Sequence, residues 1–226
     1  MSKIVHPYAH RLVILRDWKS RWFSDPKKFK DYLRADVTIR SFLGKTLRGS
    51  YVSSIEIERG QKATRLIIKT SRPGMIIGRN GEGATKLRAG LVKMMTKRGI
   101  KMPEDFKIDI VEVQSPDADA HIVAYAIAEG LEKRMTFRRI MKQMAEKVMS
   151  AREVRGVRFV LSGRLGGAEI ARTEEIKRGS IPLQTFRADI DFAREKAHLP
   201  YGDIGIKVWI YRGEVFDKDK REYTKK

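Results

Sequence analysis

The stretch best suited to binding chemistry is a glycine turn flanked by cations, KTSRPGMIIGRNGEGATKLR, at residues 69–88. Within it, Gly78 and Gly81 enclose Arg79 and Asn80. Because glycine lacks a Cβ, both glycines allow positive φ and a close approach of the backbone to another surface. A helix that begins just after the turn adds partial positive charge toward phosphate oxygens. The pattern predicts a loop that holds a sugar-phosphate chain, although ordinary helix-turn-helix corners use the same glycines.

A second group of cations lies at residues 133–158, which contain nine basic residues and only two acidic ones. At about 100° per residue, Arg138, Arg139 and Lys142 fall on one side of a predicted helix, opposite its apolar stripe. Three long cations that project together repel one another without a counter-charge, which favours a nucleic-acid partner. A solvated face, a membrane surface or a calmodulin-type contact stays open as an alternative.

A third candidate is the glycine-rich segment SGRLGGAEIART at residues 162–173. Gly166 and Gly167 allow close backbone approach, and Arg164 and Arg172 lie near them in the sequence. As a bare pattern, the segment is equally compatible with a loose hairpin connection between strands.

The composition narrows the class of function. The chain has 226 residues with 48 Lys and Arg against 28 Asp and Glu, a net charge of +20, which indicates a polyanionic partner. The absence of cysteine excludes disulfides, thiol catalysis and thiolate zinc sites. The four histidines have no metal-ligand spacing, so we expect no metal, no cofactor and no catalytic residue.

Two further classes of site are not expected. The tripeptide at residues 44–46, GKT, matches the end of a nucleotide-binding loop, but Ile39 stands where that motif needs glycine. We therefore expect no small-molecule substrate. No apolar run approaches the length of a membrane span and the first ten residues have no signal-peptide core, so we expect a cytoplasmic protein without a membrane contact.

The periodicity of the first half predicts an RNA-binding fold. A helix from Asp25 is followed by two alternating runs, at 51–58 and 63–70, then by a short helix from Pro73, the glycine turn, a longer helix at 83–97 and a strand at 106–113. This order is that of a type II KH domain, with a three-stranded sheet and helices on one face. The buried stripe of the first helix is predicted to be Phe29, Leu33, Val37, Phe42, Leu43 and Leu47.

The second half predicts an α/β two-layer domain with a mainly antiparallel sheet, so that the whole chain is of the α+β class. Two helices with apolar faces out of phase imply a break near residues 133–136, where we place the domain boundary. Strands follow at 157–162, 185–192 and 205–212. The predicted organisation is an N-terminal extension at 1–24, a KH domain at 25–132, a C-terminal domain at 133–216 and a mobile basic tail at 217–226. In the extension, Trp18 and Trp22 are one helical turn apart. Such a pair could stack on bases or pack against the following domain, and packing is favoured.

Several long motifs carry a resemblance to a known family. They are SGRLGGAEIARTE at 162–174, the Pro-Leu pair at 182–183, RADID at 187–191 and YGDIGIKVWI at 201–210. With them, the chain closely resembles the bacterial form of the third protein of the small ribosomal subunit, over nearly its whole length.

The resemblance implies a structural protein of the head of the small subunit, not an enzyme. Its implied partners are small-subunit ribosomal RNA, messenger RNA and the tenth and fourteenth small-subunit proteins. The family's residues at the channel where messenger RNA enters match Arg138, Arg139 and Lys142, which in relatives grip the message and help to open its secondary structure. By similarity, the glycine turn, the glycine-rich segment (Arg164, Gly166, Gly167, Arg172) and Arg187 would contact ribosomal RNA. The family often has a second basic residue inside the glycine turn, where this chain has Asn80.

Two alternatives remain for the function. Distant relatives have been credited with nuclease or DNA lyase activity, and the carboxylate pairs Asp117 with Asp119 and Asp189 with Asp191 could be proposed for it. Both pairs are more simply a helix first turn and strand residues beside basic partners. A free-standing KH regulator of transcripts is the other alternative.

Overall fold

The structure is a computed structural model that describes residues 6–60, 63–100 and 105–216. Its contacts separate two compact units, which we call the central unit (residues 18–114) and the C-terminal unit (the described residues before 18 and after 114). Within these described ranges, no helix is long and apolar enough to cross a membrane. The predicted tail at 217–226 lies outside the described residues.

The elements follow in chain order. The helices are α1 (Pro7–His10), α2 (Pro26–Thr46), α3 (Pro73–Ile77), α4 (Glu82–Lys97), α5 (Ala120–Glu132) and α6 (Phe137–Met149). The strands are β1 (Ser20–Trp22), β2 (Val52–Arg59), β3 (Ala63–Thr70), β4 (Asp105–Glu112), β5 (Gly156–Gly163), β6 (Arg172–Gly179), β7 (Ala188–Leu199) and β8 (Gly202–Glu214).

The central unit has the predicted KH order. Its sheet runs β1-β2-β3-β4, with β2 antiparallel to β3 and β3 parallel to β4. Leu66 pairs with Ile57 on one side and with Ile108 on the other, so the apolar residues of three strands share one face. Helices α2, α3 and α4 bury that face. The short strand β1, which pairs in parallel with β2, is an addition that the periodicity does not reveal.

Three of the six residues that were predicted to form the buried stripe of α2 are exposed. Phe29, Leu33 and Val37 are 50%, 48% and 60% exposed, whereas Ile39 and Leu43 are buried against the sheet. Ile39 and Leu43 lie about 200° and 240° around the helix from Val37, so Val37 points to the opposite side. Phe29 lies within about 40° of Leu43 around the axis and is exposed near the start of the helix. The helix carries two apolar faces, and the sheet covers only one of them.

The sheet of the C-terminal unit is antiparallel throughout, in the order β6-β5-β8-β7. Helices α5 and α6 pack on one face, over a core that includes Ile127, Met141 and Phe159. The predicted two-layer antiparallel arrangement is confirmed. Strand β6 was not predicted because Ile176 is its only large apolar residue. The strand predicted at 185–192 starts later, so that Phe186 lies before β7 and is exposed.

The predicted boundary at residue 133 differs from the structural division. The chain does break there, because α5 ends at Glu132 and Arg134 takes a positive φ of 62°. However, α5 and α6 bury their apolar faces in the same core, and a Cβ on Gly130 would lie 3.2 Å from Ile140 Cδ1. Two out-of-phase faces required a kink, but they did not require two cores. The contacts divide the chain between residues 114 and 115 instead.

The predicted N-terminal extension belongs to both units. Residues up to Asp17 group with the C-terminal unit, where the buried Arg11 guanidinium donates to the carbonyl oxygens of Ala188, Leu183, Thr185 and Pro7 at 2.7–3.0 Å. Burial lowers the pKa of Arg11.

The two tryptophans of the extension are not on a helix. Trp22 lies in β1, packs against Phe29 and Tyr32, and donates from Nε1 to Asp36 at 2.8 Å. Trp18 is 55% exposed. The packing prediction is therefore correct for Trp22 and wrong for Trp18.

Candidate nucleic-acid interface

The glycine turn forms a corner between α3 and α4. Gly78 has φ 70° and Gly81 has φ 80°, and Asn80 between them has φ 51° and ψ 24°. Three residues in the left-handed region turn the chain sharply, and asparagine tolerates that region better than other residues with a Cβ. Arg79 is exposed, with no ion pair to another described residue. The corner therefore presents backbone, one amide side chain and one free cation.

A third glycine, which the sequence pattern did not single out, holds the corner together. A Cβ on Gly83 would lie 2.4 Å from the carbonyl oxygen of Ile76 and 2.8 Å from that of Ile77. Only glycine permits this contact between the backbones of α3 and α4. The signal in the sequence was the spacing of Gly83 two residues beyond Gly81, which makes the run GRNGEG.

Apolar and basic side chains surround the corner. Met75 and Ile77 of α3 are exposed, beside the buried Ile76 that anchors the helix. On α4, Arg88 is exposed, whereas Lys86 is paired with Glu82 at 3.0 Å. Exposed apolar groups next to a cationic turn are what a single-stranded nucleic acid requires, since bases meet the former and phosphates the latter.

Helix α6 has the two-sided character that was predicted. Its inner side buries Ile140, Met141, Ala145 and Val148. Arg138, Arg139 and Lys142 are all exposed on the outer side. Among the described residues, Arg139 and Lys142 have no ion pair, and Arg138 reaches only Glu174, at 3.8 Å.

The N-terminal end of α6 lies beside the start of β6. Glu174 Oε1 is 3.8 Å from Arg138 and 3.6 Å from Arg172, and both guanidinium groups lie within 6 Å of the Phe137 ring. The structure thus brings Arg172 next to Arg138 of α6, with the Glu174 carboxylate between them. Arg138, Arg139 and Lys142 form one exposed surface, which we call the α6 surface, and Arg172 lies at its edge.

The glycine-rich segment is held in place by a buried side chain and by side-chain hydrogen bonds, which its sequence did not indicate. Leu165 is buried in the core, and Gly166 and Gly167 have φ of 69° and 82°. Arg164 donates from Nε to the Ala168 carbonyl at 2.9 Å and from a terminal nitrogen to the Tyr201 carbonyl at 3.3 Å. Arg164 therefore braces the loop, while the two glycines leave its backbone open.

Arg187 is separate from the other predicted contacts. It precedes β7 beside the end of β8, where Ala188 pairs with Glu214, and it lies over the Phe216 ring at 5.4 Å. The glycine-rich segment follows β5 at the other end of the sheet, where Ser162 pairs with Gly205. Residues 205 and 214 are about 30 Å apart along an extended strand.

The two carboxylate pairs considered for catalysis have structural partners. Asp119 caps α5 by accepting from the amides of His121 and Ile122, and Asp117 pairs with Lys147 at 2.9 Å. The other pair, Asp189 and Asp191, is buried between Arg16 and Arg212. In the part of the chain that the structure describes, no group of three or more acidic, histidine or cysteine side chains could hold a metal ion.

The environment of Asp191 shifts its titration strongly. Burial alone would raise its pKa, but Arg16, Arg212 and the N–H of Ala120, which donates to Oδ2 at 2.9 Å, lower the pKa to about 2. The same carboxylates raise the pKa of Arg16 against the effect of its own burial. The cluster is a charged clamp between the N-terminal segment, α5 and the edge of the sheet.

Comparison with known proteins agrees with both halves of this description. The family model for the KH domain matches residues 38–118, and the model described as "Ribosomal protein S3, C-terminal domain" matches residues 127–210. A protein of Clostridium botulinum (strain Okra / Type B1) named "Small ribosomal subunit protein uS3" is 46% identical over 220 residues, which cover 97% of this chain and 96% of that protein. A protein of the same name from Clostridium perfringens (strain SM101 / Type A) is 45% identical over 222 residues, covering 98% and 97%. The chain therefore belongs to the family of small ribosomal subunit protein uS3.

Proposed function

We propose that this chain is a structural, RNA-binding constituent of the small ribosomal subunit in the cytoplasm, and that its α6 surface binds messenger RNA where the message enters. Membership of the uS3 family supports the first part. The second part rests on Arg138, Arg139 and Lys142, which are exposed on a helix whose other side is anchored in the core.

The mechanism is non-covalent. Guanidinium and ammonium groups neutralise phosphates, and because a rigid helix fixes the spacing of their Cα atoms, little backbone conformational entropy is lost on binding. Strands separated at this surface are kept from pairing again, while the advance of the ribosome supplies the work. Glu174 is the one carboxylate within ion-pair distance of Arg138 among the described residues, and Arg172 shares it. The surface therefore keeps a net positive charge for an incoming polyanion.

Replacing Arg138, Arg139 and Lys142 together with alanine tests this role. The side chains are exposed, so we expect the variant to fold and to enter small subunits. In a reconstituted translation system, its ribosomes should slow on messages with a stable hairpin and proceed normally on unstructured ones. The readout is the time needed to complete a peptide from each message.

A matched control replaces Lys27, Lys28 and Lys30 with alanine. These lysines are exposed near the start of α2, and their loss changes the net charge by the same amount. Equal rates for the two variants on hairpin messages would contradict a specific role of the α6 surface.

For ribosomal RNA, we propose contacts at three places in the chain. The first is the glycine turn with Gly78, Arg79, Asn80 and Gly81. The second is formed by Gly166 and Gly167 of the glycine-rich segment, with Arg164 as their brace, together with Arg172. The third is the exposed Arg187, at the other end of the sheet. Open backbone at positive φ with cations near it in the sequence supports the first two. Cosedimentation with small subunits at moderate salt tests the assignment, and protein that stays unbound would contradict it and favour a free-standing regulator of transcripts.

Contacts with the tenth and fourteenth small-subunit proteins belong to the same proposal. Their support is the exposed apolar row of α2, formed by Phe29, Leu33 and Val37, together with Phe23, which is also exposed. Exposed apolar residues in a row are typical of a surface that binds another protein. Changing Leu33 and Val37 to serine should weaken binding of those two proteins in subunit reconstitution without affecting RNA binding.

An enzymatic function is not part of the proposal. The relatives are named as a ribosomal protein, and the family is structural. The carboxylates that hydrolysis would need are engaged in a helix cap and in the buried clamp.

A further inference from the structure

The sheet of the C-terminal unit has a second face, turned away from α5 and α6. Part of it is covered, because Ala188, Ile190, Phe192, Trp209 and Tyr211 form a separate apolar cluster there with Ile181 and Leu183. Side chains alternate between the two faces of a strand. Residues at every second position from this cluster along each strand therefore lie on the same face and form the rest of its surface.

The rest of this face is strongly basic. By alternation from Val160, Phe192 and Trp209, it carries cations from all four strands, and we call this set the cationic sheet face: Arg158, Lys177, Arg194, Lys196 and Lys207. Two carboxylates accompany them. Glu175 pairs with Arg158 at 2.7 Å, and Asp203 lies 4.0 Å from Lys196.

The register places like charges directly opposite one another. Arg158 faces Lys177 across β5 and β6, and Arg194 faces Lys207 across β7 and β8. Directly opposed side chains have Cβ atoms about 5 Å apart, and like charges there are destabilising. Lys177, Arg194 and Lys207 have no ion pair within the described residues. These opposed like charges destabilise the free protein, and a bound polyanion would neutralise them. The arrangement therefore indicates a polyanionic ligand.

The aromatic rings beneath the cations indicate which polyanion fits. Arg158 lies 5.1 Å from the centroid of Trp209, and Arg194 lies 5.4 Å from that of Phe192. Both rings are only 4% exposed, so they position the guanidinium groups but cannot stack on bases. Proteins that hold single strands on a sheet rely on such stacking. This face offers charge alone, spread over about 14 Å across four strands.

We propose that the cationic sheet face binds the phosphate backbone of double-helical RNA. It lies on the opposite side of the sheet from α6, so its ligand is distinct from the message assigned to the α6 surface. The inference rests on the proposed function in so far as the RNA helix would belong to the small subunit. Its test uses purified protein and does not depend on ribosomes.

The experiment measures binding of the full chain to a labelled 16-base-pair RNA duplex by fluorescence anisotropy at several salt concentrations. The variant carries Lys177→Gln, Arg194→Gln and Lys207→Gln. Each lost phosphate contact lowers the slope of log K against log salt by about 0.9, so we expect the slope to fall by roughly 2 to 3. Because like-charge pairs are removed, the thermal midpoint of the free variant should stay the same or rise.

The control carries Lys27→Gln, Lys28→Gln and Lys30→Gln, with the same change in net charge. A slope that falls only in the sheet variant supports the proposal. Equal slopes for sheet variant and control overturn it, as does a wild-type chain that does not bind the duplex at low salt. Loss of binding to anionic lipid vesicles with unchanged duplex binding also overturns it, in favour of a membrane surface. None of these results bears on cosedimentation with small subunits, which tests the proposed function separately.

Discussion

Replacing Asp191 with asparagine should destabilise the C-terminal unit in a pH-dependent way. Asp191 is 6% exposed and lies 3.5 Å from Arg16 and 3.3 Å from Arg212. Its pKa is lowered from the usual 3.8 to about 2. A lowered carboxylate pKa means that the folded state favours the charged form. One pKa unit corresponds to about 1.4 kcal/mol, so the charge contributes about 2 kcal/mol at neutral pH.

The sign and the pH window follow from the two pKa values. The contribution is fully present above the unfolded pKa near 4, and it is lost as the pH falls through the folded pKa near 2. Asparagine has the shape of the protonated acid but never ionises. The free-energy difference between wild type and variant should therefore be about 2 kcal/mol at pH 7 and about half of that at pH 3.

Native-state hydrogen exchange of the backbone amides shared by β7 and β8 is the appropriate assay, because it reports the opening of that sheet alone. At pH 7 we expect roughly 30-fold weaker protection in the variant. Asp109→Asn serves as the control, since Asp109 is a half-exposed partner of the exposed Arg65 in the other unit. A difference that does not depend on pH would refute the electrostatic reasoning and leave only altered packing.

Three further substitutions, the first with a comparison variant, test the central unit and the N-terminal segment. Gly83→Ala places a Cβ 2.4 Å from the Ile76 carbonyl oxygen and should strongly destabilise the corner in urea unfolding, whereas Gly44→Ala, in open space on a helix, should stabilise by about 0.5–1 kcal/mol. Asn80→Lys should steepen the salt dependence of single-stranded RNA binding by about 0.7, at a cost of about 1 kcal/mol for its left-handed backbone. Arg11→Leu leaves four carbonyl oxygens without their donor and should make residues 6–17 accessible to protease.

Specific outcomes would contradict each of these. Equal stabilities of the two alanine variants would mean that α3 and α4 can separate without loss. An unchanged salt slope for the lysine variant would show that the glycine turn does not contact phosphates. Unaltered protease resistance of the leucine variant would mean that apolar contacts alone hold the N-terminal segment.

The sequence by itself determined the local architecture. Alternation in β2, β3 and β4 and the positions of Gly78 and Gly81 predicted the KH order. The 3.6-residue period of α6 predicted that its three cations are exposed opposite a buried stripe. These features are intrinsic to one element, because the period of a helix or strand decides which side chains share a face, whatever the element packs against.

Only the tertiary structure decided which faces meet. Helix α2 has two apolar sides, and nothing within it indicates that the side with Ile39, rather than the side with Leu33, covers the sheet. Strand β6 is nearly all polar, so it exists as a strand because β5 offers it an edge to pair with. The opposed cations of the cationic sheet face result from the register of strands that are far apart in the chain. Which helices share a core, which strands pair at an edge and in which register they pair all depend on contacts between residues that are distant in the chain. The period of a single segment contains no information about such contacts.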